Sequence, residues 1–444
     1  MLLFDALYLL AGIALSPWLL WRAARTGRYR RDLAAKLLGE VAVANPERKP
    51  VAWFHGVSVG EVHLLVPLVA AFRNRHHGWL VVVSSTTDTG LSEARTRFAD
   101  GAVIPFPFDF SWAVGRALDA VRPTVVVLAE SELWPNFLAA AARRRIPVAV
   151  ANARLSPRTF ARMRPVSGAV RRLLFRHVAA FAAQSDETAD RLRQLGGTRV
   201  SVTGNLKFDG ATAAATGDSL RALFGYSPRH RVLVAGSTHA PEESILLDVF
   251  AKLRGQFADL RLVLVPRHPD RFGEVANLVE ASGLPFARWT AVTAPLADPP
   301  AVVLLDTIGK LGEAWAVAAV GFTGGSLDGK RGGQSMIEPA GYGVPVCFGP
   351  HVWNFRDAAR LLVEAGGAKV VQDAADLERD LAAILGDADL RAKMGTAARA
   401  FVRAQQGATE RTLEAIEAQF PRCERSSVAP PAGGSRLQTR AAAE

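Results

Sequence analysis

The sequence predicts an α/β protein of two doubly wound, Rossmann-like domains, and three observations carry that prediction. Short, almost uninterrupted apolar runs alternate with stretches of helical period, the pattern of parallel strands covered by helices on both faces. The runs form two series, separated by a stretch of small residues at 210–217. The chain has 444 residues, long for one domain and ample for two. Composition agrees, because 49% hydrophobic and 21% charged residues, with 38 Gly and 25 Pro, exclude a disordered, collagen-like or coiled-coil chain. Cys347 and Cys423 stand far apart, which argues against a disulfide scaffold or a cysteine zinc site.

Residues 1–21, MLLFDALYLLAGIALSPWLLW, carry one charge, Asp5. About 20 apolar residues suffice to cross a bilayer as a helix. Trp18 and Trp21 stand where an interfacial belt would lie, followed by Arg22, Arg25, Arg28, Arg30 and Arg31. By the positive-inside rule that basic flank is expected to put the rest of the chain in the cytoplasm, and no small-residue cleavage site removes the anchor. Asp5 and Pro17 keep a second arrangement open, a helix lying in the interface. Residues 22–50 read as a basic linker.

The first strand series is expected at 51–54, 80–84, 103–105, 124–129, 147–151 and 179–183. The second is expected at 232–235, 260–265, 302–305, 320–323, 345–348 and 369–371. The domains are then 51–209 and 219–420, joined by a linker at 210–218. A Pro-, Gly-, Ala- and Ser-rich tail at 421–444 is expected to be disordered. Ligands of such sheets bind outside the carboxyl ends of the strands, so the chemistry is expected in a cleft between the domains.

Lys plus Arg number 53 against 42 Asp plus Glu, a net charge of +11. The excess is localised: ten arginines and no acid lie between Arg143 and His177. Such a block fits nucleic acid, an anionic membrane surface or a phosphorylated substrate, and the apolar N-terminus favours the membrane over nucleic acid.

Candidate chemistry follows the strands. In VAWFHGVSVGEV, Glu61 heads a helical pattern at the end of the first strand, placed either to take a proton from a hydroxyl or to meet the helix dipole. VVVLAESELWPN puts Glu130 and Glu132 on one side of the chain after the fourth strand, where a buried acid needs a partner such as the neighbouring arginines. Asn152 and Arg154 close the fifth strand, and Lys207 in GNLKFD stands just before the domain boundary. Arg267 and His268 end a strand of the second domain in LVPRHPDRF, and Gly309 opens a helix in DTIGKLGE. In GFTGGSLDGKRGGQSMIEP, the pairs Gly324–Gly325 and Gly332–Gly333 either form turns or let backbone N–H groups reach a nucleotide phosphate. Glu338, on the helix that follows, is placed to accept from ribose hydroxyls. No Walker motif or GxGxxG occurs, which argues against an ATPase and an ordinary dinucleotide enzyme; no HExxH or paired-His motif occurs either, and no metal or other cofactor is expected.

Read together, HGVSVGE, ESELWPN, ANARLS, GNLKFD, STHAPEE, LVPRHPDRF, DTIGKLGE, GGSLDGKRGGQSMIEP and FGPHVWNFRD resemble the lipid A Kdo (3-deoxy-D-manno-octulosonic acid) transferases of the GT-B glycosyltransferase fold. The resemblance runs from the N-terminal segment to about Asp357. It implies inverting transfer of Kdo from CMP-Kdo to the lipid A precursor, lipid IVA, in lipopolysaccharide synthesis. By position, Glu61 matches the family's proton acceptor, and Glu130 and Lys207 match residues that stabilise the transition state. Pro266, Arg267, Ile308, Gly309, Lys310, Ser335, Met336, Ile337 and Glu338 match CMP-contacting segments, with Gly332 and Gly333 added as phosphate donors. Arg154, Arg158, Arg162, Arg171 and Arg172 are expected to face acceptor phosphates and anionic headgroups. The chain departs from the family pattern at Gln334 and Ser335, and at Lys310, where an acid is common. Those departures leave room for a GT-B enzyme with another nucleotide sugar or lipid acceptor. A tethered binding protein without catalysis is the reading from a different class.

Overall fold

The computed structural model describes residues 2–26, 32–211 and 215–420. The expected tail at 421–444, Arg28, Arg30, Arg31 and the side chains of Trp18 and Arg22 lie outside the described residues, as does 212–214 of the expected linker.

The chain forms two compact units. The first holds β1 (Val51–His55), β2 (Leu80–Ser85), β3 (Ala102–Pro105), β4 (Val125–Ala129), β5 (Val148–Ala153), β6 (Ala180–Ala183) and β7 (Val200–Val202). Its sheet is parallel, in the order β3-β2-β1-β4-β5-β6-β7. Alternate residues of β1 enter opposite faces, Val51 and Trp53 one core, Ala52 and Phe54 the other. Each large side chain taken fully out of water contributes about 1.5–3 kcal/mol, so a strand buried on both faces has little choice of register. Val51 stands opposite Leu80, and Ala52 opposite Val125.

The second unit holds β8 (Arg231–Thr238), β9 (Leu260–Pro266), β10 (Phe286–Arg288), β11 (Val302–Leu304), β12 (Val320–Thr323), β13 (Val346–Phe348) and β14 (Ala368–Val370). The order is β10-β11-β9-β8-β12-β13-β14, again parallel. Leu233 and Leu262 pack on one face, Val232 and Val263 on the other. In each sheet the chain reverses its direction of growth once, between β1 and β4 and between β8 and β12. Open α/β sheets bind ligands at that reversal, where loops from neighbouring strands diverge.

Three boundaries differ from expectation. The stretch 22–50 is not a plain linker: Lys36 is buried with its ammonium 2.8 Å from Asp88, and Val41 and Val43 pack on the first core. The first unit ends at Leu206, so Lys207 begins the second. The second unit ends at Gln406, and helix Ala408–Glu417 returns to the first. Leu413, Ile416 and Phe420 belong to the apolar cluster of Phe54 and Phe72, burial that a helix left on the second unit would forgo.

The N-terminal segment is one helix, Leu2–Thr26. Asp5 is buried and fastens it to the first unit, accepting from Ser111 N at 2.8 Å and Asn136 Nδ2 at 3.0 Å. Leu3, Leu7, Leu10 and Ile13 are exposed. Among the described residues, no helix is long and apolar enough to cross a membrane.

Candidate active site

Glu61 lies in the first turn of helix Val59–Arg75, which starts where β1 ends. Ser58 caps that helix: its Oγ accepts from Glu61 N at 3.4 Å and donates to Glu61 Oε1 at 3.1 Å. Val57 N donates to Glu61 Oε2 at 2.8 Å. This is a capping box with its return bond shifted one residue, from Val57 N instead of Ser58 N, so Glu61 does meet the helix start. A carboxylate has about four acceptor positions, so each oxygen keeps one for a ligand. Burial pushes the Glu61 carboxyl up to about 7, with the charges of Glu130 and Glu132 adding to the rise and the Val57 and Ser58 hydrogen bonds opposing it. A carboxyl set there changes charge near neutral pH, as a general base needs.

Glu130 follows β4, the other strand of the reversal. Its backbone is left-handed, with φ 55°, and its N–H donates to Ala151 O at 2.9 Å. Asn152, near the end of β5, has the same φ of 55°, is fully buried, and accepts from Leu206 N at 3.0 Å. Left-handed backbone is unfavourable for residues other than glycine and concentrates where function demands it. Burial also raises the Glu132 carboxyl, with the Trp134 indole opposing the rise. Ser131, between the two acids, links this loop to the end of β5, its Oγ donating to Arg154 O. His55 ends β1 fully buried, its Nδ1 3.0 Å from Ser84 Oγ and its ring stacked on Phe106; burial lowers it to about 3, so it stays neutral.

The second unit corrects the reading of the glycine pairs. The anion held in the loop of the first pair is internal: the buried Glu242 carboxylate accepts from Gly325 N at 2.7 Å, Ser326 N at 2.9 Å, Leu327 N at 3.2 Å and His239 N at 3.0 Å, while Gly324 N donates to Gly236 O. A Cβ at Gly324 would stand 2.6 Å from Glu242 Oε2, so only glycine fits. Gly333 N donates to Gly325 O at 2.8 Å and is therefore spent within the loop. At Gly332 a Cβ would come within 2.3 Å of the Trp353 indole. Both glycines are buried, and the Gly333 amide is spent in this turn rather than offered to a phosphate. Met336 and Ile337 are buried in the core, which leaves only their backbone for a ligand. Ser335 is half-buried beside them. Burial raises the Glu338 carboxyl, and the Trp315 indole pulls it back.

The remaining positions lie at strand ends of the same unit. Pro266 closes β9, and Arg267 beyond it is exposed, its N–H donating to Thr238 O at 3.1 Å. Ile308 is 79% exposed in the loop after β11, and Gly309 has φ +89° with nothing near an added Cβ. Lys310 is engaged at home, 2.6 Å from Glu313 and 5.1 Å from the centre of the Trp289 ring. The Lys207 ammonium lies 5.2 Å from the centre of the Phe355 ring, beside the cluster that holds Met336.

His239 has no role in the sequence reading, yet it is buried just after β8 with neither ring nitrogen hydrogen-bonded, and burial lowers it to about 4. The signal available was its place at the end of the strand of reversal. On residues 157–177, Arg158, Arg162, Arg171 and Arg172 are exposed, with no carboxylate within ion-pair distance among the described residues; Arg154 is half-buried. Among the described residues no group of three or more His, Cys, Asp or Glu is placed to hold a metal ion.

Residues 24–210 match the family model of 3-deoxy-D-manno-octulosonic-acid transferase (kdotransferase). The 3-deoxy-D-manno-octulosonic acid transferase of Bordetella pertussis is 36% identical over 423 residues, covering 92% of this chain and 97% of that protein. The chain belongs to the Kdo transferase family. The Haemophilus influenzae transferase is 31% identical over 409 residues, covering 90% of this chain and 94% of the relative. In fold, the chain is similar to UDP-GlcNAc 2-epimerase from Neisseria meningitidis solved with UDP-GlcNAc, with a TM-score of 0.56 at 14% identity over 83% of this chain and 99% of that one. This Kdo transferase is thus a glycosyltransferase with two parallel-sheet units of the GT-B class, and its family implies transfer of Kdo in lipopolysaccharide synthesis.

Proposed function

We propose that this Kdo transferase moves Kdo from CMP-Kdo to lipid IVA in one inverting step, with Glu61 as general base and no metal or other cofactor. The observation that carries the reading is the Glu61 carboxyl, held at the sheet reversal beside two other acids and pushed up to about 7. An acceptor hydroxyl is a poor nucleophile. Glu61 takes its proton as the oxygen attacks the anomeric carbon of Kdo, and the bond from that carbon to the CMP phosphate breaks with its electron pair leaving on CMP. Charge therefore grows on the phosphate, where exposed Arg267 and the ammonium of Lys207 would stabilise it. Lys310, tied to Glu313, contributes through its backbone, as do Ile308, Gly309 and residues 335–337, while Glu338 accepts from the ribose.

The acceptor face is the arginine-bearing segment 157–177, which gains roughly 1 kcal/mol per basic residue near an anionic surface. The N-terminal helix belongs at the cytoplasmic face of the inner membrane. With Asp5 fastened to the first unit and Leu3, Leu7, Leu10 and Ile13 exposed, it lies in the interface as a monotopic anchor. The deciding experiment is mass spectrometry of lipid IVA incubated with enzyme and CMP-Kdo, with and without EDTA. The expected product is heavier by whole Kdo units in both samples. No mass gain, a gain only from another nucleotide sugar, or a loss with EDTA would each refute the part it addresses.

A further inference from the structure

The first unit contains a cavity of about 260 Å³ between the loop after β4, the end of β5, the short helix Pro157–Met163 and strand β6. Its floor is apolar: Val150, Leu155, Phe175, Phe181 and Leu192 are buried, with Leu174 packed beside them. Its rim is polar and partly exposed, formed by Glu130, Ser131, Arg154, Ser156 and Thr159. The cover over it is thin. Helix Pro157–Met163 and the turn Arg164–Val166 bury no side chain, and helix Ser167–Leu173 buries only Val170. That cover carries exposed Arg158, Arg162, Arg164, Arg171 and Arg172 together with exposed Val166 and Leu173.

These features select one chemistry. A sugar or nucleotide on that floor would leave its hydroxyls or phosphates without hydrogen-bond partners. A free aliphatic chain would account for the floor but not for a cationic cover. An amphiphile with an anionic head and a hydrocarbon chain satisfies both. The space is slightly smaller than the roughly 300–1,000 Å³ of a whole-ligand pocket, right for one segment of chain with its head outside. Glu130 ties the cavity to the reaction centre, because it lies on the rim and its charge acts on Glu61.

We propose that this cavity is an acyl-chain subsite: one hydrocarbon chain of the acceptor lipid enters beneath helix Pro157–Met163, and the arginines above it hold the acceptor's anionic group. The inference rests on the lipid acceptor of the proposed function and adds to it a measuring device. A chain seated in the cavity fixes how far the sugar hydroxyl reaches toward Glu61, so acceptors are selected by acylation as well as by head.

The test uses the full-length enzyme and two variants that fill the space, Met163→Trp at the cover and Thr159→Trp at the rim. Both positions are at least partly exposed, so each variant has room to fold. Transfer is measured on lipid IVA and on the same disaccharide bisphosphate stripped of its acyl chains. The ratio of the two kcat/KM values should fall about tenfold or more in either variant, because chain burial is what separates the substrates. An unchanged ratio in both variants, with wild type active on lipid IVA, overturns the subsite and leaves the proposed function standing. A second reading does not need turnover: 11-(dansylamino)undecanoic acid should bind wild type saturably, be displaced by lipid IVA and bind both variants about tenfold more weakly. Failure of lipid IVA to displace the probe, or displacement by phosphatidylglycerol vesicles alone, overturns the proposal. A wild type that exchanges probe for lipid IVA but transfers no sugar to it supports the subsite and refutes the proposed function.

Discussion

At the scale of single residues, Glu61 does two things that can be separated. As the fourth member of a capping box it accepts from Val57 N, a task a glutamine performs equally well. As a base it must lose a proton, which glutamine cannot do. Glu61→Gln should therefore leave the thermal midpoint close to wild type while transfer falls about 10²–10⁴-fold, read by calorimetry and a CMP-release assay. In wild type, kcat/KM should fall as pH drops through about 7, because the protonated carboxyl cannot accept. Stability runs the other way. The folded carboxyl holds its proton more tightly than the unfolded one, whose value is 4.5, so the benefit of protonation is full below 4.5 and gone above about 7. Glu61→Gln should remove that part of the pH slope. Glu61 was legible in the sequence because it follows a strand and a glycine. The environment that raises it was not, since Glu130 and Glu132 come from a strand more than sixty residues later and meet it only in the folded sheet. The misread glycines have the same cause. The Gly325 amide does bind an anion, but it is Glu242, 83 residues back along the chain.

At the scale of elements, a central strand buried on both faces announces itself as an apolar run. β1, β2, β4, β9 and β12 could be read directly for that reason. The two strands left unread, Val200–Val202 and Phe286–Arg288, are three-residue edges: β7 has two exposed positions and β10 none fully buried. Such strands are held by one neighbour and need no apolar signature. The cover 157–173 is the converse case, an element whose charge pattern is visible in sequence but whose cavity is not, because the floor comes from β5, β6 and helix Asp186–Gln194. If its arginines meet anionic lipid, Arg158→Glu, Arg162→Glu and Arg171→Glu together should weaken binding to phosphatidylglycerol vesicles by orders of magnitude. Three reversals change about six charges, each near 1 kcal/mol at such a surface, less what salt screens. Unaltered sedimentation with vesicles would return the segment to an ordinary solvated face. None of the three has a carboxylate partner among the described residues, so the folded enzyme should be preserved.

At the scale of the whole molecule, the decisive fact is that the chain passes from the first unit to the second after Leu206 and returns after Gln406. Small residues follow the outward crossing in the sequence, at 210–217. The return has no such marker, since helix Ala408–Glu417 is amphipathic like its neighbours and its destination depends on which apolar face awaits it. That face is supplied by helix Val59–Arg75, with Phe72 packed edge-on to Phe420 at 6.2 Å and Trp79 stacked on Phe420 at 4.8 Å. Arg75 and the buried His76 then reach Glu417 at 3.0 and 2.8 Å, and the exposed Arg75 pair adds little beside the apolar burial. Losing Leu413, Ile416 and Phe420 removes about 1.5–3 kcal/mol each, against a total stability of about 5–15 kcal/mol. A chain cut after Gln406 should therefore lose cooperative melting of the first unit, whereas one cut after Phe420 keeps these contacts and should melt like wild type. The segment 207–406, continuous and with its own core, should fold when expressed alone, while 1–206 should not unless helix Ala408–Glu417 is supplied to it. Circular dichroism melts of the four chains decide the matter. A stable 1–206 fragment would mean that the returning helix only decorates a unit already complete.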